Sequence, residues 1–251
     1  MSGKLTGKIA LISGASRGLG KAMALALAGE GASVALVGRD ADALQKAAEE
    51  VWRTGSGAQI FQADVTDEEQ VLRLEREVTQ AFGQVHILIN NAGINLRKNL
   101  IEFTLDEWRR VLDASLTSTF LMCRAFVPHM KSAGWGRVIN LASIMAHVSI
   151  PGRTAYSASK TAVLGLTRAL ALELAHDGVT VNAISPGPCA TEMNTPLIQN
   201  PELNAQFIAK IPLGRWGRVE EIGQLAVYLC SPDAGFITGT DILIDGGWCA
   251  A

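Results

Sequence analysis

The chain has almost no charge excess: 22 Lys and Arg stand against 24 Asp and Glu in 251 residues. It therefore lacks the electrostatic footprint of a protein that grips nucleic acid or an anionic membrane, although local basic patches stay open. Cysteine is equally sparse. Cys123, Cys189, Cys230 and Cys249 are far apart and form no C-x-x-C pair. That excludes a disulfide framework or zinc site as the natural reading and favours buried thiols in a reducing compartment. No His/Cys/Asp cluster has metal-ligand spacing, so no metal is expected. Polar residues interrupt every apolar run well short of membrane-spanning length. Met1–Gly7 is polar and Ile9–Ser13 is too short for a signal h-region, which sets a soluble cytoplasmic protein as the expectation. Linkers, internal repeats and low-complexity tracts are also missing, so residues 1–251 are expected to form one domain. What the chain does have is 48% hydrophobic residues and 25 glycines, enough for a sizeable core with many tight turns.

Short runs rich in apolar and β-branched residues alternate with longer helical patterns. The runs are Ile9–Ser13, Ser33–Gly38, Ala58–Gln62, His86–Asn90, Gly136–Leu141, Val179–Ile184 and Asp241–Ile244. Between them lie Gly18–Gly29, Ala41–Arg53, Glu68–Phe82, Leu105–Lys131, Thr154–His176 and Val219–Cys230. Strands that are apolar throughout and alternate with helices predict an α/β fold: a doubly wound parallel sheet of about seven strands, Rossmann-like, with helices on both faces. Asp40, Asp67 and Thr104 stand where N-caps are wanted. His86 reads as a structural strand-end residue, and His129, after Pro128, as part of a helix kink and turn. The stretch from Ser185 to about Gly217 carries five prolines and is expected to be an irregular substrate loop.

Three residues carry acid–base chemistry. Tyr156 and Lys160 are at i and i+4 and share a helix face, and Ser143 lies thirteen residues before the tyrosine at the end of an apolar strand. A phenol ionises near ~10, and a neighbouring ammonium is expected to pull that down so that the tyrosine exchanges protons nearer neutrality. Ser143 is then placed to hold a substrate oxygen. Without a G-x-S-x-G elbow it does not read as a hydrolase nucleophile.

At the other end, Gly14-x-x-x-Gly18-x-Gly20 runs from the first strand into a helix, as in turns that cradle a pyrophosphate at a helix N-terminus. The alternative is a plain strand–helix turn with glycines for packing. After the second strand, where a carboxylate would bind a ribose 2′-hydroxyl, the chain has Gly38 and Arg39. Arg39, with Arg17 in reach of the same region, favours NADP over NAD, because guanidinium groups suit a 2′-phosphate. Asp40 is better explained as an N-cap.

Taken in order, the glycine turn, Asn90-Asn91-Ala92-Gly93 after the fourth strand, Ser143, Tyr156-x-x-x-Lys160 and Pro186-Gly187 resemble the single-domain short-chain dehydrogenase/reductases across essentially the whole chain. The resemblance implies a dinucleotide held by Gly14, Ser16, Arg17, Gly18, Leu19, Gly20, Arg39, Asp64, Val65, Asn91, Ala92, Gly93, Tyr156, Lys160, Pro186, Gly187 and Thr191. It implies hydride transfer between nicotinamide and a carbonyl carbon, with Tyr156 as proton donor or acceptor, and it implies a homotetramer. One departure stands out: Ser115 occupies the position of an asparagine that in the family helps hold a water beside the lysine. Tolerated variation, reduced activity or deliberate alteration would each account for it.

Candidate substrate residues are Asn95, Arg97, Met145, His147, Arg153, Met193 and Asn194. Arg97, His147 and Arg153 suit a carboxylate or polyol; each taken alone is also readable as a solvated loop cation or packed histidine. The segment Ala92–Lys98 is similar to sugar-acid dehydrogenases of the gluconate 5-dehydrogenase kind, and the overall pattern is equally near the 3-oxoacyl-carrier-protein reductases. The expected activity is therefore on a small polar substrate such as a sugar acid or keto acid, with the 3-oxoacyl thioester as the alternative. Epimerases and dehydratases on this scaffold carry larger substrate domains. A weakly active or non-catalytic dinucleotide-binding protein is kept as a reading because of Ser115.

Overall fold

The computed structural model describes residues Gly3–Ala251, apart from the side chain of Met193. Seven strands, β1 (Ile9–Ser13), β2 (Ser33–Gly38), β3 (Ala58–Gln62), β4 (Ile87–Asn90), β5 (Gly136–Leu141), β6 (Val179–Pro186) and β7 (Asp241–Ile244), form one sheet in the order 3-2-1-4-5-6-7. Every pairing is parallel, β1 meeting β2 through Ile9↔Ser33 and β4 through Ala10↔Ile87. The chain reverses its winding between β1 and β4, so a crevice opens at the carboxyl ends of those strands.

Alternation along the strands divides the core. Ala10, Ile12, Val34, Leu36, Ile87 and Ile89 face α1 (Gly18–Gly29), α2 (Ala41–Trp52) and α9 (Val219–Cys230). Leu11, Ala35, Val37, Leu88, Val138 and Val181 face α3 (Glu68–Phe82), α5 (Ser118–Ala133) and the C-terminal end of α6 (Thr154–Glu173). Buried on both sides, such strands carry no polar face, which is why they read as continuous apolar runs. The expected caps form: Asp40 accepts from Ala43 N–H and Asp67 from Gln70 N–H, both at 3.0 Å. Thr104 and Glu107 make a reciprocal capping box.

Three expectations need correction. The single helix expected over Leu105–Lys131 is α4 (Leu105–Leu112), a π-turn (Asp113–Thr117) and α5. Pro128 lies inside α5, and His129 is no turn residue: its Nε2 meets Glu75 Oε1 of α3 at 2.8 Å, and the helix ends only at left-handed Gly134. The region 185–217 is not irregular throughout. It contains α7 (Thr195–Ile198) and α8 (Pro201–Ile208), with Pro196 and Pro201 in their first turns, where a missing N–H costs nothing. His86 does act structurally, its Nδ1 accepting from Ile9 N–H at 3.1 Å. Among the described residues no helix is long and apolar enough to cross a membrane.

Candidate active site

The cofactor turn is built by backbone constraint. Gly14 and Gly18 sit at φ 63° and 55°, a left-handed conformation costly for any side chain. A Cβ on Gly20 would lie 2.2 Å from Gly14 O and 2.5 Å from Asn91 Nδ2, so this approach is open only to glycine. Asn91 Nδ2 donates to the carbonyls of Ser13 and Gly14 at 3.0 and 3.1 Å, while Ser13 Oγ accepts from the N–H groups of Asn91 and Ala92. The ends of β1 and β4 are thus tied together across the crevice. Arg17 gives no side-chain cap to α1, and the first turn holds no acid, leaving its N–H groups free for an anion. Ser16 and Leu19 are half-buried in this turn, and Thr191 approaches Gly18 from the opposite wall.

Arg39 is exposed beyond β2, its Nη1 3.7 Å from Asp64 Oδ2. Together with Gln62, Ala63, Gln70 and Arg73 they line a cavity of about 160 Å³. Arg73 was not foreseen, since only packing of α3 on β3 brings it there. Val65 is buried behind Asp64. The two arginines have separate partners, for Arg17 lies 4.0 Å from Glu192 in the 185–217 segment. This uncapped helix end, the glycine cradle and the arginine-lined cavity fit a dinucleotide.

Ser143 stands two residues beyond β5, its Oγ accepting from Met145 N–H at 3.1 Å. Tyr156 and Lys160 occupy the first two turns of α6, with Lys160 Nζ 5.7 Å from the Tyr156 ring centre. Lys160 is only 4% exposed and donates to the Leu141 carbonyl. Burial pulls its pKa down from 10.5 to about 8. The tyrosine departs from the sequence expectation. Burial raises its pKa, opposed by a hydrogen bond from Ser143 and by the charge of Arg153; Lys160 is not among the groups that lower it. A half-desolvated phenol prefers to keep its proton, and the lysine is itself destabilised as a cation.

Ser115 lies in the π-turn, 1% exposed, and its Oγ has no hydrogen-bond partner among the described residues. A Cβ on Gly93 would stand 3.3 Å from Ser115 Oγ and 3.6 Å from Lys160 Nζ, so the three residues surround one point. Thr119 Oγ1 donates to the Ser115 carbonyl at 2.7 Å. Behind them Asn90 Nδ2 donates to Asn140 Oδ1, and Asn140 Nδ2 to Thr167 Oγ1, both at 2.9 Å. Asn140 was not singled out from sequence, although an asparagine inside an apolar strand was a usable signal. Pro186 and Gly187 end β6, where Gly187 N–H donates to Ile244 O.

The substrate candidates separate. Asn95 Oδ1 and Arg153 Nη1 are buried without partners among the described residues, Arg97 is exposed, and Met145 is half-buried. His147 Nε2 is 2.5 Å from Asp241 Oδ2, which also accepts from Ser185 Oγ, so this face of the ring ties the chain to β7. Asn194 is likewise a staple, donating to Cys189 O at 2.9 Å. The side chain of Met193 lies outside the described residues.

The chain as a whole is similar to known proteins. The family described as Enoyl-(Acyl carrier protein) reductase matches residues 14–249. The chain is 36% identical to gluconate 5-dehydrogenase of Gluconobacter oxydans, over 97% of this chain and 95% of that protein. It is 39% identical to a 3-oxoacyl-[acyl-carrier-protein] reductase of Synechocystis, over 97% of each. A solved structure from Beutenbergia cavernae, described as a candidate NAD(P)-dependent gluconate 5-dehydrogenase with NADP at low occupancy, superposes with a TM-score of 0.93 at 38% identity, covering 98% of both chains. The chain belongs to the short-chain dehydrogenase/reductase family. It is an oxidoreductase, and its cofactor is a nicotinamide dinucleotide.

Proposed function

We propose that the protein moves hydride between NADP and a carbonyl or secondary-alcohol carbon of a small polar substrate, a sugar acid or keto acid. The observation that carries this reading is Tyr156 on α6, one turn from the buried Lys160, whose Nζ lies 5.7 Å from the tyrosine ring centre and donates to Leu141 at the carboxyl end of β5, with Ser143 two residues beyond. Bound at the glycine cradle, the dinucleotide supplies or accepts the hydride. Tyr156 gives a proton to the carbonyl oxygen in reduction and takes one from the alcohol in oxidation; Ser143 donates a hydrogen bond to the same oxygen. Lys160 holds positive charge beneath the pair. Its low pKa makes that charge depend on pH near 8. A second reading, reduction of a 3-oxoacyl thioester, draws on the likeness to the Synechocystis reductase.

NADP is preferred because Arg39 and Arg73 both line the adenosine-side cavity, Arg39 facing Asp64 and Arg73 facing Glu77 from the same helix. We assign the 185–217 segment, with α7 and α8, as the substrate loop of a single domain spanning 1–251. Exposed Leu100, Ile101 and Leu105 at α4, Phe120 on α5, Leu172 on α6 and Phe236 before β7 support a homotetramer, whose test is a sedimentation experiment in which a stable monomer counts against it. The cytoplasm is the assigned compartment. The functional test is consumption of NADPH or reduction of NADP+ across polyols, sugar acids and β-keto thioesters: turnover of a polar hydroxy or keto compound is expected, and cofactor binding without any turnover would favour a non-catalytic protein.

A further inference from the structure

Arg153 is the N-cap residue of α6, three positions before Tyr156, and is 9% exposed. Its side chain makes no cap bond, and Nη1 is buried with no hydrogen-bond partner among the described residues. A buried guanidinium ordinarily has a carboxylate or several acceptors beside it, because desolvating it uncompensated is expensive. Here Arg153 has no ion pair among the described residues, and another cation acts on it. Arg97 opposes the charge on Arg153, burial being the larger effect, and only Tyr156 favours it. The backbone explains the proximity: a Cβ on Gly152 would lie 3.8 Å from Lys98 N and 3.9 Å from Lys98 O, so the loop carrying Arg97 packs on the turn carrying Arg153. Glu107, the acid on that side, is paired with Lys98. On the same loop, Asn95 Oδ1 is a second buried atom without a partner, an acceptor suited to a hydroxyl.

We propose that Arg153 and Arg97 form a carboxylate clamp beside Tyr156, making the protein selective for hydroxy or keto acids over neutral analogues of the same shape. This rests on the proposed hydride-transfer site and deepens it. The thioester alternative carries no carboxylate at the reacting end, so the clamp also separates the two substrate readings. Arg153 supplies the fixed donor and exposed Arg97 the mobile one, and the carboxylate neutralises two like charges that otherwise face each other.

Two matched pairs test the clamp: acetoacetate against ethyl acetoacetate with NADPH, and gluconate against sorbitol with NADP+, all at equal ionic strength. The wild type should favour the charged member by roughly 10- to 100-fold in kcat/KM, the range for losing a hydrogen bond to a charged group. Arg153→Gln should collapse that ratio, Arg97→Gln should lower it less, and Arg153→Lys should restore part of it. If Arg153→Gln slows both members of a pair equally, Arg153 acts through Tyr156 and the clamp is refuted. Thermal unfolding of the NADP-bound protein is the readout independent of turnover. Charged ligands should raise Tm more than neutral ones in the wild type but not in Arg153→Gln. An equal response in both proteins overturns the clamp. A charge-selective response with no turnover of any compound upholds the clamp and contradicts the proposed function instead.

Discussion

Lys160 should destabilise the fold it serves. Its ammonium is 4% exposed, is held by a backbone carbonyl and has its pKa lowered from 10.5 to about 8 by burial alone. That drop corresponds to about 3 kcal/mol of penalty against the charged form. Lys160→Met removes the charge and keeps the apolar stem, but leaves the Leu141 carbonyl without its donor, a loss of about 1 kcal/mol. The net expectation is a gain of roughly 2 kcal/mol, or about 4–8 °C in Tm for a chain of this length. The sign with pH is fixed by the direction of the shift. Below about pH 8 the lysine is charged in both folded and unfolded protein, and the full penalty is present. Between about 8 and 10.5 the folded protein gives up the proton while the unfolded chain keeps it, so wild-type stability rises with pH and the advantage of the variant shrinks. Urea denaturation of both proteins at pH 7 and 9.5, at one protein concentration, reads this directly. A variant less stable than wild type at pH 7, or an advantage that does not fall by pH 9.5, refutes the reasoning.

Gly20→Ala should weaken NADPH binding at least tenfold by fluorescence titration, because its Cβ would stand 2.2 Å from Gly14 O; unchanged affinity would contradict the cradle. Arg39→Asp should move the NADPH/NADH ratio of kcat/KM toward NADH by roughly 100-fold, the loss of charge-assisted bonds to a 2′-phosphate. Because burial raises the Tyr156 pKa, reduction should hold steady through neutrality and oxidation should quicken as pH rises, measured as initial rates in each direction. Ser115→Ala should change stability by less than about 1 kcal/mol, since its Oγ bonds to nothing. Ser115→Asn separates two accounts of the site: a large rise in turnover marks a compromised proton path, and no change marks a tolerated serine.

Much of the sheet was legible in the sequence because parallel strands buried on both faces leave an apolar signature bounded by caps such as Asp40 and Asp67. Boundaries slipped where tertiary contacts decide them. The apolar pattern over Leu105–Lys131 is continuous, so the extra residue of the π-turn at Asp113–Thr117 leaves no mark in it. Pro196 and Pro201 suggested irregular chain, yet each stands in a first helical turn. For the site, spacing brought Tyr156, Lys160 and Ser143 together correctly as neighbours. It had no means to show that His147 is held by Asp241, 94 residues on, or Asn194 by the carbonyl of Cys189. Nor did it show the electrostatics: the lysine–tyrosine spacing suggested an acidified phenol, whereas burial dominates both groups.

The central claim is that Tyr156 carries the proton for hydride transfer. Tyr156→Phe keeps the ring and its packing while removing the hydroxyl. Steady-state turnover of any active substrate, paired with NADPH titration of the same preparation, should show kcat reduced by roughly 100- to 10,000-fold, the range for a lost general acid–base group, with cofactor affinity nearly unchanged. Turnover that survives in the Phe variant would contradict the account.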